Sequence, residues 1–91
     1  MNLKISKLAK EEIYDGTEYY NLQQSGLGDS FKSDVKQTII NIHQHPKLYP
    51  DITTNIKRCV LHRFPFSIFY TIRTDTILIL TVAHQHRKPI Y

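Results

Sequence analysis

The chain opens on alternation: Leu3 and Ile5 are apolar, Lys4 and Ser6 polar, which predicts a short first strand over Leu3–Ser6. Ser6 is placed to accept a hydrogen bond from a free amide of the next turn, as a helix N-cap. The period then lengthens. Ala9, Ile13, Gly16 and Tyr20 follow at steps of four, three and four and line one face of a first helix. Gly16 costs that helix about 1 kcal/mol relative to Ala, or else permits close approach of a second helix. The stretch Ser25–Gly28 breaks the run. Phe31, Val35, Ile39 and Ile42 then make the stripe of a second helix, with Lys32, Ser33, Lys36 and Gln37 opposite. Pro46 ends it, since proline lacks an amide hydrogen and biases His45 away from helical backbone.

After the loop "PKLYPDITTN" the period falls to two. Asn55–Phe64, Phe66–Arg73 and Thr76–His84 read as three strands rich in Ile, Val, Thr, Phe and Tyr. Short joins at Phe64-Pro65 and Thr74-Asp75 make them an antiparallel meander, although Thr suits a tight hairpin turn poorly. The first strand is expected at an edge of this sheet. The order strand, helical hairpin, three strands predicts an α+β fold with the helices packed on one face of a small sheet, as a single domain over residues 1–91.

Alternation also assigns faces. Phe66, Ile68, Tyr70 and Ile72 share one side of the middle strand; Ser67, Phe69, Thr71 and Arg73 share the other. In the last strand Leu78, Leu80, Val82 and His84 alternate with Ile77, Ile79, Thr81 and Ala83. Both sides of that strand are apolar, and two helices cover one. Contiguous exposed apolar surface marks a partner site. The open face is therefore expected to meet a bound protein, a second copy in a homodimer, or the chain's own tail.

Composition narrows the class. Hydrophobic content of 41% and charged content of 22% belong to a folded domain. The single cysteine, Cys59, allows no intramolecular disulfide and reads as a small core hydrophobe. The N-terminal residues carry charges with no apolar stretch after them, and the longest aliphatic run, Ile77–Leu80, is far short of a membrane span. The expectation is a cytoplasmic protein without membrane attachment. Lys and Arg total 12 against 8 Asp and Glu. From Asn55 onward Lys57, Arg58, Arg63, Arg73, Arg87 and Lys88 face only Asp75, with His62, His84 and His86 among them. That half forms a basic surface suited to a nucleic acid or an acidic protein, or simply to solubility.

The tail "AHQHRKPIY" holds the richest chemistry. His84 and His86 stand two apart on one side of a strand. Zinc ordinarily takes four ligands, and with no second Cys and no nearby acid a metal site is not expected; no cofactor is implied either. His43 and His45 fall at the end of the second helix, where positive charge suits the helix dipole.

The helical hairpin with "GLGDSFKSDV", then "RFPFSIFYTI", an aliphatic strand and "AHQHRKP", resembles the RelE/ParE superfamily of toxins from bacterial type II toxin-antitoxin modules, and within it the ParE-like branch. The likeness spans essentially the whole chain. It implies two helices on a small antiparallel sheet and a cognate antitoxin that wraps and neutralises the toxin. Candidate antitoxin contacts are Cys59, Leu61 and Phe69. RelE-like members cut messenger RNA in the ribosome; ParE-like members inhibit DNA gyrase. A shared fold does not choose between them.

Cutting RNA by 2′-hydroxyl attack needs a base, an acid and a group that stabilises the charged phosphorane. The RelE-like middle-strand arginine falls at Ser67 here. Two lysine positions of the preceding strand fall near Arg58 and Val60. Arg87 and Tyr91 stand in for a late Arg and Tyr at offset spacing. His84, His86, Arg87 and Tyr91 are accordingly the catalytic candidates, with His62 a further histidine to replace missing groups. Arg58, His62, Arg63, Arg73 and Lys88 are the candidates for target or nucleic-acid binding. The leading expectation is a ParE-like toxin that inhibits growth by binding DNA gyrase. A ribosome-dependent endoribonuclease and an inactive relative stay open.

Overall fold

A computed structural model of the chain describes residues 1–85. His86, Arg87, Lys88 and Tyr91, named above as candidates, lie outside the described residues.

Strand β1 (Asn2–Ile5) leads into helix α1 (Lys7–Gln23). Ser6 is its N-cap: the Oγ accepts from the Ala9 amide at 3.0 Å and donates to the Leu80 carbonyl at 2.8 Å, while the Ser6 amide donates to Ile79. One residue thus satisfies a helix end and fixes the corner to the sheet. Helix α2 (Leu27–Gln44) follows, its start turned by Gly26 at φ 88°, a left-handed angle that glycine adopts without steric cost. His45 is its C-cap, and His43 Nε2 donates to the Met1 carbonyl at 2.7 Å.

Two glycines set the spacing of the hairpin. A Cβ on Gly28 would stand 2.1 Å from the Thr17 carbonyl oxygen, and one on Gly16 would stand 2.7 Å from the Phe31 ring. Gly16 is therefore a close-approach residue. The Gly28 amide also donates to Asn21 Oδ1 at 2.8 Å.

The sheet has five strands, not three plus one. They are β1, β2 (Asp51–Thr53), β3 (Ile56–Val60), β4 (Phe66–Arg73) and β5 (Thr76–His84), in the order β1-β5-β4-β3-β2. β1 lies at an edge, as expected, and runs parallel to β5; all other pairs are antiparallel, so the sheet is mixed. Strand β2 lies inside the stretch read as loop. It is short and flanked by Pro50, and its pairing with β3 rests on a two-residue turn in which Asn55 takes φ 65°. The strand expected over Asn55–Phe64 ends at Val60. The Leu61 amide still donates to the Phe66 carbonyl at 2.9 Å, but those of His62, Arg63 and Phe64 are claimed elsewhere, as described below.

Phe31, Val35, Ile42, Ile68, Tyr70, Ile77, Ile79 and Val82 form the centre of the core. Each large side chain buried there is worth about 1.5–3 kcal/mol. The β4 faces follow strict alternation. Those of β5 do not. Phe69 pairs with Thr81 and Tyr70 with Ile79, so Leu80 is an unpaired bulge residue. Beyond it the phase flips. Val82 joins Ile77 and Ile79 in the core instead of sharing a face with Leu78, which corrects the alternation assumed for this strand. The open face is also less apolar than alternation implied. Leu78 and Leu80 are half-buried, Phe69 is only 5% exposed, and Val60 is the large hydrophobic left exposed on β3, β4 or β5.

Candidate functional site

The face of the sheet away from the helices carries two cross-strand rows. Arg58, Phe69 and Thr81 make one, Val60, Ser67 and Ala83 the next. Together with His84 and Gln85 these strands line a cleft of about 350 Å³. Ser67 sits at its floor, buried, between Val60 and Ala83. Arg58 is exposed on its wall. His84 stands at the rim, half-buried, opposite Phe66 in the ladder, its ring edge-on to the Phe66 ring at 5.1 Å between centroids.

The other basic candidates do not converge on this cleft. His62 and Arg63 are exposed in the β3–β4 loop. Arg73 lies at the far end of β4, opposite Thr76. At the usual strand rise it is roughly 20 Å from Ser67. Among the basic candidates within the described residues, Arg58 and His84 are the pair that shares the cleft. A guanidinium and an imidazole there can hold an anion.

The antitoxin-contact candidates fall on different sides. Phe69 belongs to the open face. Cys59 and Leu61 are 6% and 4% exposed and pack into the core beside the helices. Burial pushes the Cys59 thiol above its ordinary range, so it carries little thiolate near neutrality. The exposed positions on this strand are Arg58 and Val60.

Two carboxylates that shape the site were missed in the sequence. Asp34 of α2 is 5% exposed, yet it accepts from three consecutive backbone amides: His62 at 3.3 Å, Arg63 at 2.8 Å and Phe64 at 3.2 Å. Those bonds stop β3 at Val60 and fix how the loop presents His62 and Arg63. Glu12 of α1 accepts at one oxygen from Thr81 Oγ1 at 2.6 Å and from the Val82 amide at 2.9 Å. It thereby closes the bulge at Leu80. The signal existed in both cases. An acid inside an apolar helical stripe, Asp34 beside Val35 and Glu12 beside Ile13, needs a buried donor.

Two helices on a five-stranded mixed sheet, with a polar cleft on the uncovered face, define a small α+β domain. The family model for the ParE toxin of the type II toxin-antitoxin system parDE matches residues 3–89, and the chain belongs to that family. Among solved structures, it resembles a chain of the chromosomal ParDE toxin-antitoxin system from P. aeruginosa, with a TM-score of 0.84 at 18% identity, covering 92% of this chain and 95% of that one. At that identity the likeness speaks for the fold alone. No curated protein matches the chain. No helix among the described residues is long and apolar enough to cross a membrane.

Proposed function

We propose that this ParE-family toxin acts in the cytoplasm by binding DNA gyrase and arresting growth, and that a cognate antitoxin neutralises it. The supporting observation is the composition of the cleft around Ser67. Where an RNA-cutting sheet needs an arginine to hold the phosphorane, Ser67 is small, neutral and buried. Beside it stand Val60 and Ala83, which transfer no protons. A cleft of this kind suits contact with a protein surface. The exposed Arg58 supplies charge for that contact, and the exposed Val60 its apolar part.

The rival reading is ribosome-dependent RNA cleavage, for which the shared placement of Arg58 and His84 is the favourable observation. Purified toxin is added to gyrase and relaxed plasmid, and the same preparation to translating ribosomes with a defined message. Loss of supercoiling with intact message supports the proposal. Message cleavage that is lost on His84→Ala, with supercoiling unaffected, overturns it.

A further inference from the structure

A second concavity, of about 460 Å³, lies on the opposite flank, between α1 and the ends of β4 and β5. Its α1 wall is one continuous strip, Glu12, Asp15, Gly16, Tyr19 and Gln23, at helical spacing. Tyr20, Phe66 and Val82 form the apolar side. Gly16 lines the middle of the groove with backbone, the place of its missing Cβ being taken up by the Phe31 ring. Tyr19 is 59% exposed and meets Tyr20 nearly at right angles, with ring centroids 5.2 Å apart, so the two rings make an aromatic corner.

The electrostatics run against the rest of the chain. Net charge is +4, yet Glu11, Glu12, Asp15 and Glu18 place half of the eight acids within two turns of α1. Among the described residues neither Glu12 nor Asp15 forms an ion pair; the pair seen is Lys57 with Asp51 at 2.9 Å. Glu12 spends one oxygen on the bulge. A carboxylate rim over an aromatic corner and an apolar floor is complementary to a guanidinium carried on an aliphatic segment. Arginine pairs with carboxylates and stacks on ring faces, and both attractions strengthen as water leaves.

We propose that this groove is a docking site for a partner-protein segment that presents an arginine flanked by aliphatic residues, with the guanidinium between Asp15 and the Tyr19–Tyr20 corner and an aliphatic neighbour over Phe66 and Val82. This goes beyond the gyrase reading and does not depend on it, because the groove is separate from the Ser67 cleft apart from the shared rim residue His84.

The probe is the capped tripeptide Leu-Arg-Leu, with Leu-Glu-Leu as control, titrated into isotopically labelled chain and followed by amide chemical shifts. The expected result is shifts at Asp15, Gly16, Tyr19 and Val82, with the arginine peptide binding about tenfold tighter than the glutamate peptide. Asp15→Asn and Tyr19→Ala, both at exposed positions, should each weaken binding while leaving the spectrum of the free chain folded. Equal binding of the two peptides, shifts confined to the Arg58–Ser67 face, or no shifts at all would overturn the proposal. So would a dimer of the free chain, seen by sedimentation, that Asp15→Asn dissociates, since a second copy would then fill the groove.

Discussion

Removing the Asp34 carboxylate tests the account of the β3–β4 loop. Three backbone amides donate to it at 2.8–3.3 Å from a position 5% exposed. A hydrogen bond to a charged group contributes about 1.5–3 kcal/mol net. Simple addition overstates the sum, because His62 and Arg63 are exposed and their amides recover water once the carboxylate is gone. Asp34→Ala is therefore expected to cost about 2–4 kcal/mol. For a domain of this size that lowers the melting temperature by roughly 10–25 °C. Asp34→Asn keeps one acceptor oxygen but turns an NH2 group toward the amides, and should fall between Ala and wild type. Asp29→Ala is the control, an exposed acid in the first turn of the same helix whose loss costs about 0.3–1 kcal/mol. The chain has six tyrosines and no tryptophan, so urea unfolding is followed by circular dichroism and tyrosine emission. If Asp34→Ala stays within about 0.5 kcal/mol of wild type, the carboxylate does not hold the loop.

The other predictions concern packing, turns and pH. Gly28→Ala drives a Cβ against a backbone carbonyl that cannot rotate away, so it should cost about 3 kcal/mol or more, whereas Gly16→Ala meets a movable ring edge and should cost less; thermal melts of both variants rank them. Thr74 holds φ 52°, which a β-branched residue tolerates poorly, so Thr74→Asn should raise stability by about 0.5–1 kcal/mol in urea titrations. Burial raises the Tyr70 phenol well above its ordinary pKa of 10.0, and its hydroxyl donates to the Pro46 carbonyl at 2.7 Å. The neutral phenol is thus favoured in the folded state, so its contribution is complete below pH 10.0 and is lost as pH rises beyond it. Tyr70→Phe should cost about 0.5–1.5 kcal/mol at neutral pH and flatten the alkaline loss, as measured by unfolding at a series of pH values.

The helical hairpin was legible because its apolar residues repeat with one period over long stretches and its ends carry strong punctuation at Ser6, the Ser25–Gly28 break and Pro46. The family resemblance was legible for the same reason, since order and spacing carry it. Strand β2 was not, because three exposed residues beside a proline have no alternation to read. The end of β3 was hidden for a different reason. Local pattern continued through Phe64, but Asp34, some thirty positions earlier, takes the loop amides out of the ladder. Such long-range satisfaction of backbone donors overrides local propensity and leaves only an indirect mark, an acid in an apolar stripe. The cleft was half legible. Ser67 stands in the sequence only as the position where the RelE-like branch carries an arginine, and Arg58 and His84 both line the cleft around it. That Arg73 stands far off could be read only from the strand register, and the groove beside α1 depended on knowing which flank of the helix meets β5.

The unpaired Leu80 makes the frame of the last strand depend on a single residue. Residues 81–84 lie half a pleat out of phase with the strand residues before it. Deleting that one codon would leave a regular ladder, with Ile79 still opposite Tyr70, Thr81 opposite Phe69 and Val82 opposite Ile68 in the core. A relative without the bulge would present the same strand faces with one residue fewer. A position-by-position reading that leaves out the gap at Leu80 would exchange core and open-face positions along the rest of the strand.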